Sequence, residues 1–347
     1  MDRVRLRWVL VALVAALLVR IPAVTSLPMD SDEPIYLEAS AEMAQAMRDR
    51  NWSRLSSPTL NREHPGLVKL LYGLGQASQG VEPDLVTKLA MARGMSMLAS
   101  LGTVALVAWM HPMAGMALAT HALHSKYGVQ AYLDGLPVFW MALAMMLAWR
   151  TRADITSRSF VFAGACWGAA LAGKWLHGVP GLGALVFIPT WRGRFKMCAI
   201  ALMSWWLLDP SMGLEPWTRI AEMVAAHQQY ANNLSTNSQW FDPVLFLASG
   251  DVSTWHPEIF PVSFDGLWLG LGLFGIGWNF RQPYARFLAV WVLLPLLLMM
   301  TWSTRWPQHA MVLVVPLCIG VGLFFDRLAI LANLRCEPIG LPPPASE

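Results

Sequence analysis

Charge is scarce in this chain. Only 14% of its 347 residues are Asp, Glu, Lys or Arg, where a soluble globular domain carries about 25%. A disordered chain needs charge to stay solvated, so that class is excluded, together with most soluble enzymes. The net charge is +3, and no Lys/Arg run is dense enough to bind nucleic acid. Cysteine is sparse too: Cys166, Cys198, Cys318 and Cys336. None has CxxC or Cys/His ligand spacing, which excludes a disulfide scaffold and a structural zinc. The first apolar run lacks an A-x-A-like cleavage site, so it reads as a signal anchor and not as a removed leader.

Apolar residues are plentiful. They make up 56% of the chain, including 18 Trp and 20 Met, and the mean hydropathy is +0.44. This predicts an all-α, polytopic transmembrane protein. A span takes about 20 mostly apolar residues. Ten segments qualify: about 8–24, 90–110, 112–125, 134–149, 159–174, 176–190, 197–209, 263–280, 287–303 and 309–326, the third and seventh being short.

Short basic loops set the orientation. Arg3, Arg5 and Arg7 precede the first span, and Arg150, Arg152 and Arg158 follow the fourth. Arg192, Arg194 and Lys196 follow the sixth; Arg281 and Arg286 follow the eighth. With ten spans all of these fall on one side, which the positive-inside rule makes cytoplasmic, along with both termini. The long segments, 25–89 and 210–262, lie on the other side, and function is expected there. The predicted transmembrane domain covers 1–326, followed by a short cytoplasmic tail, 327–347.

The first outer loop contains two amphipathic segments. Ile35, Ala39, Met43 and Met47 recur every four residues within 34–48, with Pro34 at the first helical position. Residues 65–78 are apolar but too short to span, which predicts a helix lying in the membrane interface.

Several outer polar residues are candidates for chemistry. Asp32 and Glu33 stand at a helix start, where they would cap the helix or supply a general base at the membrane surface. His64 lies in Glu63-His64-Pro65-Gly66, either as a turn residue or as part of a site. Lys88 and Arg93 flank the second span; they would snorkel or meet a lipid phosphate. Asp134 opens the fourth span, Lys174 ends the fifth, and Arg305 and His309 bracket the start of the tenth. Acids and cations gathered at one membrane boundary suit transfer of a group from a lipid-linked phosphate to a hydroxyl. The acid activates the acceptor, and the cations stabilise the departing phosphate. Gly270 to Gly275 matches GxGxxG but lies inside a span, and Gly164 with Gly168 forms a GxxxG; both predict helix packing through small residues. Asn51-Trp52-Ser53 and Asn233-Leu234-Ser235 are glycosylation triplets in outer loops.

The ordered set of motifs resembles a known family. One span, Asp32-Glu33, Tyr36, an amphipathic helix, then Glu63-His64-Pro65 and Lys69-Leu70-Leu71 is similar to the first outer loop of the dolichyl-phosphate-mannose protein mannosyltransferases. Their relatives include the lipid A aminoarabinose transferases, and all are membrane-embedded GT-C glycosyltransferases. Ala92-Arg93, Gln130 to Gly135, Gly168 to Trp175 and Arg305 to Pro316 continue the resemblance through about residue 325. Gly66 stands where the family's EHPPLxKLL-like stretch has its second Pro, and Gln130 where Arg is usual. Residues 210–262 are too few for the β-trefoil MIR domain of fungal and animal members. A short tail, Leu334 to Glu347, stands where aminoarabinose transferases carry a soluble domain.

The resemblance implies a minimal integral-membrane glycosyltransferase. Its donor would be a polyprenyl-phosphate sugar, a mannose-like hexose or a pentose. Its acceptor would be a hydroxyl on protein, as in protein O-glycosylation, or on lipid or glycan. Transfer on the extracytoplasmic face would invert the anomeric centre. Asp32 would be the catalytic base, Glu33 would position it, and Arg93 would meet the donor phosphate. His64, Asp134, Lys174, Arg305 and His309 would be supporting polar groups at the donor phosphate or substrate. No cofactor is required, and no ligand set compels a divalent metal. The partners are the donor lipid, the acceptor and the bilayer, without nucleic acid. The membrane would be a bacterial plasma membrane, or that of the endoplasmic reticulum in a eukaryote. Two rivals remain: a multi-span transporter or lipid flippase, and a catalytically inactive family member. Against the transporter, the chain shows no internal repeat and few mid-span acids.

Overall fold

The computed structural model describes residues 3–233, 239–249, 256, 259–302 and 305–332. The triplet at 233–235, Cys336 and the tail from 333 onward lie wholly or partly outside the described residues.

Long apolar stretches fold as helices because a helix satisfies its own backbone polar groups where water is absent. The described elements are helical throughout, and their chain order is as follows. The first is α1 (Arg3–Ser26), then α2 (Glu33–Arg48), α3 (Trp52–Leu55), α4 (Leu67–Ala77), α5 (Leu85–Met110), α6 (Pro112–Ala119) and α7 (Ala122–Tyr127). Next come α8 (Gly135–Thr151), α9 (Arg158–Gly173), α10 (Trp175–Gly178), α11 (Pro180–Val186) and α12 (Trp191–Leu208). The last five are α13 (Pro216–Asn233), α14 (Asp242–Ser249), α15 (Asp265–Trp278), α16 (Pro283–Thr301) and α17 (Met311–Leu331). The helix α17 runs to Leu331, so the first residues assigned to the tail continue it.

Each expected span coincides with helix, but among the described residues four segments are long and apolar enough to cross a membrane: Arg3–Ser26, Leu85–Met110, Pro283–Thr301 and Pro307–Leu331. The chain is therefore a membrane protein of all-α build, and the remaining expected spans are shorter, broken or less apolar. The third breaks between α6 and α7. Buried charges supply the partners that the interrupted helix lacks. Arg20, buried in the middle of α1, donates to the carbonyl of Ala119 at 2.9 Å and to Ser100 Oγ at 2.8 Å. The Asp265 carboxylate accepts the amides of Ala122 at 2.7 Å and Leu123 at 3.0 Å. The sixth breaks at Pro180, whose ring ends the hydrogen-bond ladder of α10.

Small residues set the close helix crossings. A Cβ on Gly275 in α15 would run into the carbonyl of Gly320 in α17, and one on Gly168 in α9 into that of Ala201 in α12. Most of the GxGxxG and both GxxxG glycines thus serve helix packing, although Gly270 meets nothing. The basic loops converge as well. Arg5, Met110, Arg150 and Tyr284 line one small cavity, and Lys196 donates to the Ile155 carbonyl at 2.7 Å. That end of the bundle holds the start of α1, the end of α8 and the start of α16. Asp32 and its companions occupy the opposite end, beyond the last turn of α1.

In the first outer loop, α2 and α4 pack on each other and on the bundle. The α2 stripe is rotated from the expected one. Ala39 and Met43 are buried, but Ile35 is exposed, and Tyr36, Leu37, Ser40 and Ala44 complete the inner face.

Candidate functional site

Asp32 is the N-cap residue of α2, yet its carboxylate makes no capping hydrogen bond. Among the described residues it has no hydrogen-bond or ion-pair partner. It opens instead into a cavity of about 70 Å³, lined also by Tyr36, Asn61, Glu63, His64, Lys174, His227, Gln308 and His309. Burial raises its pKa. Asp30, Asp134 and Glu63 act in the same direction, and Lys174 opposes them. Two residues earlier, Asp30 is shifted the other way. Burial would raise it too, but Lys126 at 3.6 Å and hydrogen bonds from Ser31, Tyr132 and Gln130 outweigh that. Two nearby carboxylates are thus shifted in opposite directions.

Glu33 sits beside Asp32 but points away from the cavity and is fully buried. Its oxygens accept from Arg93 Nε at 2.9 Å and Nη2 at 2.6 Å, from the Ala131 amide at 2.7 Å and from the Asp30 amide at 2.9 Å. Arg93 also donates to the carbonyls of Val24, Leu27 and Pro28. All five guanidinium N–H groups are occupied, and none is left for a donor phosphate. The pair instead ties the end of α1, the start of α2, the loop before α8 and α5 into one unit, which fixes the position of Asp32. Sequence spacing could place Arg93 at the boundary but could not show that protein carbonyls consume it.

Asp134 precedes α8, and Lys174 occupies an extended break between α9 and α10. The two helices pack antiparallel, which brings Lys174 Nζ within 2.9 Å of both Asp134 oxygens. His177 Nε2 lies 2.6 Å from the same carboxylate. Lys174 is thereby held at the cavity wall facing Asp32. His177 was not expected from the sequence, although its place one helical turn past Lys174 is a usable signal. Arg305 does not line the cavity: its Nε and Nη2 donate to the carbonyls of Met299 and Met300 at the end of α16. His309 and Gln308 do line it, from the turn before α17.

Several buried charges anchor the segment that carries Glu63 and His64. Lys69 Nζ donates to the carbonyls of Asn61 at 2.8 Å and His64 at 3.0 Å. Glu42 accepts from the Thr59 amide and hydroxyl and from the Leu60 amide. Burial pulls the Lys69 ammonium down to about 8, against the attraction of Asp209, Glu63 and Glu42 and with added repulsion from Arg219. Burial also keeps His64 and His227 neutral, with Lys174 acting in the same direction on both.

Gly66, which departs from the family pattern, has a local reason. Its amide donates to Asp209 Oδ1 at 2.8 Å, and a Cβ there would lie 2.7 Å from that oxygen. A Pro would have no N–H to give. Gly66→Pro is expected to lower stability by about 1–3 kcal/mol by leaving buried Asp209 short of a donor, measured by thermal unfolding in detergent; an unchanged midpoint would refute this account. Gln130 is accommodated differently. Lys126 supplies the cation beside Asp30, and Gln130 Nε2 adds a long contact of 3.4 Å.

His227 comes from α13, in a region that carried no motif. Its ring stands 4.7 Å from that of Trp302 and 6.1 Å from that of Trp175. It lines both the small cavity and an apolar groove of about 670 Å³ that is also walled by Trp167, Leu171, Leu182, Leu202, Trp205 and Val224. The polar site and the apolar groove therefore meet at one side chain. Among the described residues, no group of three His, Cys, Asp or Glu is placed to hold a metal ion.

No family model and no curated protein matches this chain. Solved structures do. ArnT from Cupriavidus metallidurans bound to undecaprenyl phosphate superposes with a TM-score of 0.62 at 18% identity, over 94% of this chain and 63% of that one. Its apo state gives 0.64 at 18% identity, over 94% and 60%. At 18% identity the likeness is one of fold. An oligosaccharyltransferase from Archaeoglobus fulgidus, in complex with zinc and sulfate, is more distant, with a TM-score of 0.51 and 11% identity over 96% of this chain and 52% of that one. The chain spans less than two thirds of the length of each of these proteins.

Proposed function

We propose that this protein is a membrane glycosyltransferase that moves a sugar from a polyprenyl-phosphate donor to a hydroxyl, with Asp32 as the catalytic base. The carrying observation is the unpartnered Asp32 carboxylate, opening into a polar cavity that shares His227 with an apolar groove. The groove fits a prenyl tail. Lys174, with two contacts to Asp134, has a third N–H for the phosphate at the cavity wall. The neutral imidazoles of His64 and His227 supply further donors, and His309 lines the same cavity. Undecaprenyl phosphate in the C. metallidurans ArnT supports this reading of the groove.

The acceptor oxygen attacks the sugar C1 from the face opposite the phosphate, and the configuration inverts. Asp32 takes the hydroxyl proton as the new C1–O bond forms, while the old bond breaks with its electrons going to the phosphate. Lys174 stabilises that growing charge from the cavity wall. Glu33 and Arg93 hold the base in place and touch neither reactant.

The test is turnover by the purified chain in detergent. Radiolabelled polyprenyl-phosphate sugars, hexosyl and pentosyl, are supplied with a crude mixture of hydroxyl acceptors, and release of lipid phosphate is followed. Consumption of one donor names the sugar. Absence of consumption across the panel, with lipid phosphate still bound, returns the transporter and inactive-member readings.

The pH profile follows from two groups. Asp32 must be ionised, and its raised pKa puts the acid limb of kcat/KM above the ordinary carboxylate value. Lys69 holds the 61–64 segment best as an ammonium, which is lost as pH rises through about 8. Activity is expected to fall on that alkaline side, and Lys69→Arg is expected to move the limb upward. An alkaline limb that stays in place in the Arg protein would show that another group sets it.

A further inference from the structure

Gln308 lines the Asp32 cavity from the turn before α17. The residue is 5% exposed, yet among the described residues its carboxamide makes no hydrogen bond. Gln76 is also buried without a partner, but both of its side-chain polar atoms are sealed inside the protein. The carboxamide of Gln308 is not sealed in that way, and the space it borders is the cavity of Asp32. A carboxamide brings two N–H donors and an acceptor oxygen. Holding them in the interior unspent is costly, and a ligand in the cavity removes that cost by completing them.

Glu63 lines the same cavity from the 61–64 segment. One of its oxygens accepts from Asn61 Nδ2 at 2.7 Å, and the other has no partner among the described residues. Asn61 stands in a left-handed backbone conformation, φ 52°, which Asn tolerates better than most residues. Its carbonyl is fixed by Lys69 Nζ at 2.8 Å. Glu63 is thereby held with one oxygen spent and one left over.

Charge narrows what can occupy the space. Asp32 and Glu63 line the cavity as acids, and Lys174, its cation among the described residues, already makes two contacts to Asp134. A carboxylate on the ligand would add a third like charge beside Asp32 and Glu63, which repels it. A hydroxyl meets no such penalty: it donates to Glu63 and accepts from a Gln308 N–H. An ammonium satisfies Glu63 but leaves the Gln308 N–H groups without an acceptor. Trp306, in the same turn, adds an aromatic face to the wall, suited to the C–H side of a sugar ring.

We propose that Gln308 and Glu63 read the hydroxyls of the transferred sugar, and that they select an uncharged glycosyl group over an acidic or an amino-substituted one. The inference rests on the glycosyltransferase reading of the Asp32 site. Neither residue makes or breaks a bond. The acceptor oxygen still bonds to C1, its proton passes to Asp32, and the electrons of the old C1–O bond leave with the lipid phosphate.

The test uses the full chain in detergent. The donors are the polyprenyl-phosphate sugar that the wild type consumes, its monodeoxy analogues, its uronic acid and its amino-substituted form. The kcat/KM for each donor is measured, together with binding of polyprenyl phosphate that carries no sugar. Gln308→Leu is expected to lower kcat/KM for the parent donor about tenfold, the worth of one lost hydrogen bond. It is expected to be nearly indifferent with the one deoxy donor that lacks the hydroxyl it reads. A residue that only shapes the turn would lower all donors alike. Glu63→Gln removes the like charge and serves if the Leu variant fails to fold; it is expected to raise use of the uronic donor relative to the parent about tenfold. Losses that are equal across the deoxy series, an unchanged ratio of acidic to parent donor, a wild type that prefers the acidic or amino donor, or weaker binding of the bare lipid phosphate by Gln308→Leu would each overturn the proposal. All four leave the donor reading standing, because sugar is still transferred. A wild type that binds bare lipid phosphate but consumes no donor removes the glycosyltransferase reading itself, and this inference with it.

Discussion

Turnover of Asp32→Asn is expected to fall by about 10²–10⁴-fold, the range that a positioned general base supplies, with an unchanged unfolding midpoint. The structure explains why the two readouts separate. Asp32 stands at a helix N-cap but does no capping, so Asn removes the base without removing a structural bond. The site even relaxes slightly, because the carboxylate is penalised by burial and by Asp30, Asp134 and Glu63. Measured donor consumption above about a tenth of the wild-type rate would take the base role from Asp32. A fall in turnover accompanied by a fall in stability would mean that the carboxylate holds the loop instead.

The second large effect is on folding. Arg93→Met is expected to cost about 3–5 kcal/mol, because it leaves Glu33 as a buried charge without its cation and strands three backbone carbonyls at the end of α1. The double variant Glu33→Gln, Arg93→Met is expected to recover part of that loss, since the amide leaves no buried charge and its one oxygen can still accept from either the Ala131 or the Asp30 amide. Unfolding in detergent, followed by tryptophan fluorescence, reads both. A loss below about 1 kcal/mol in the single variant would mean that the pair is not what joins α1, α2 and α5. The same pair of measurements separates the roles expected of neighbours: stability for Glu33 and Arg93, turnover for Asp32.

Part of this was legible in the sequence. Apolar runs of about 20 residues and the clustering of Arg between them determine a helical membrane protein with its elaborations on one face. Burial of the helical backbone in lipid leaves few alternatives. The motif order placed Asp32, His64, Lys174 and His309 in one region, and the structure brings them around one cavity. Apart from Gly270, the glycines of both patterns pack as read, since their place inside apolar runs left no strand before them.

The remainder was decided by tertiary structure, for a definite physical reason in each case. A linear pattern cannot report which acceptor consumes a side chain. It therefore could not show that Arg93 is spent on Glu33 and three carbonyls, or that Arg305 serves the end of α16. The break in the third expected span depends on Arg20 and Asp265, which lie far from it in sequence and satisfy the backbone at α6 and α7. His227 carries no motif; its place at the joint of groove and cavity follows only from how α13 packs. Composition and periodicity determine which segments become helices and which end of the bundle holds the polar groups. The partners of each buried charge, and therefore which polar residues remain free for chemistry, exist only once the helices have packed.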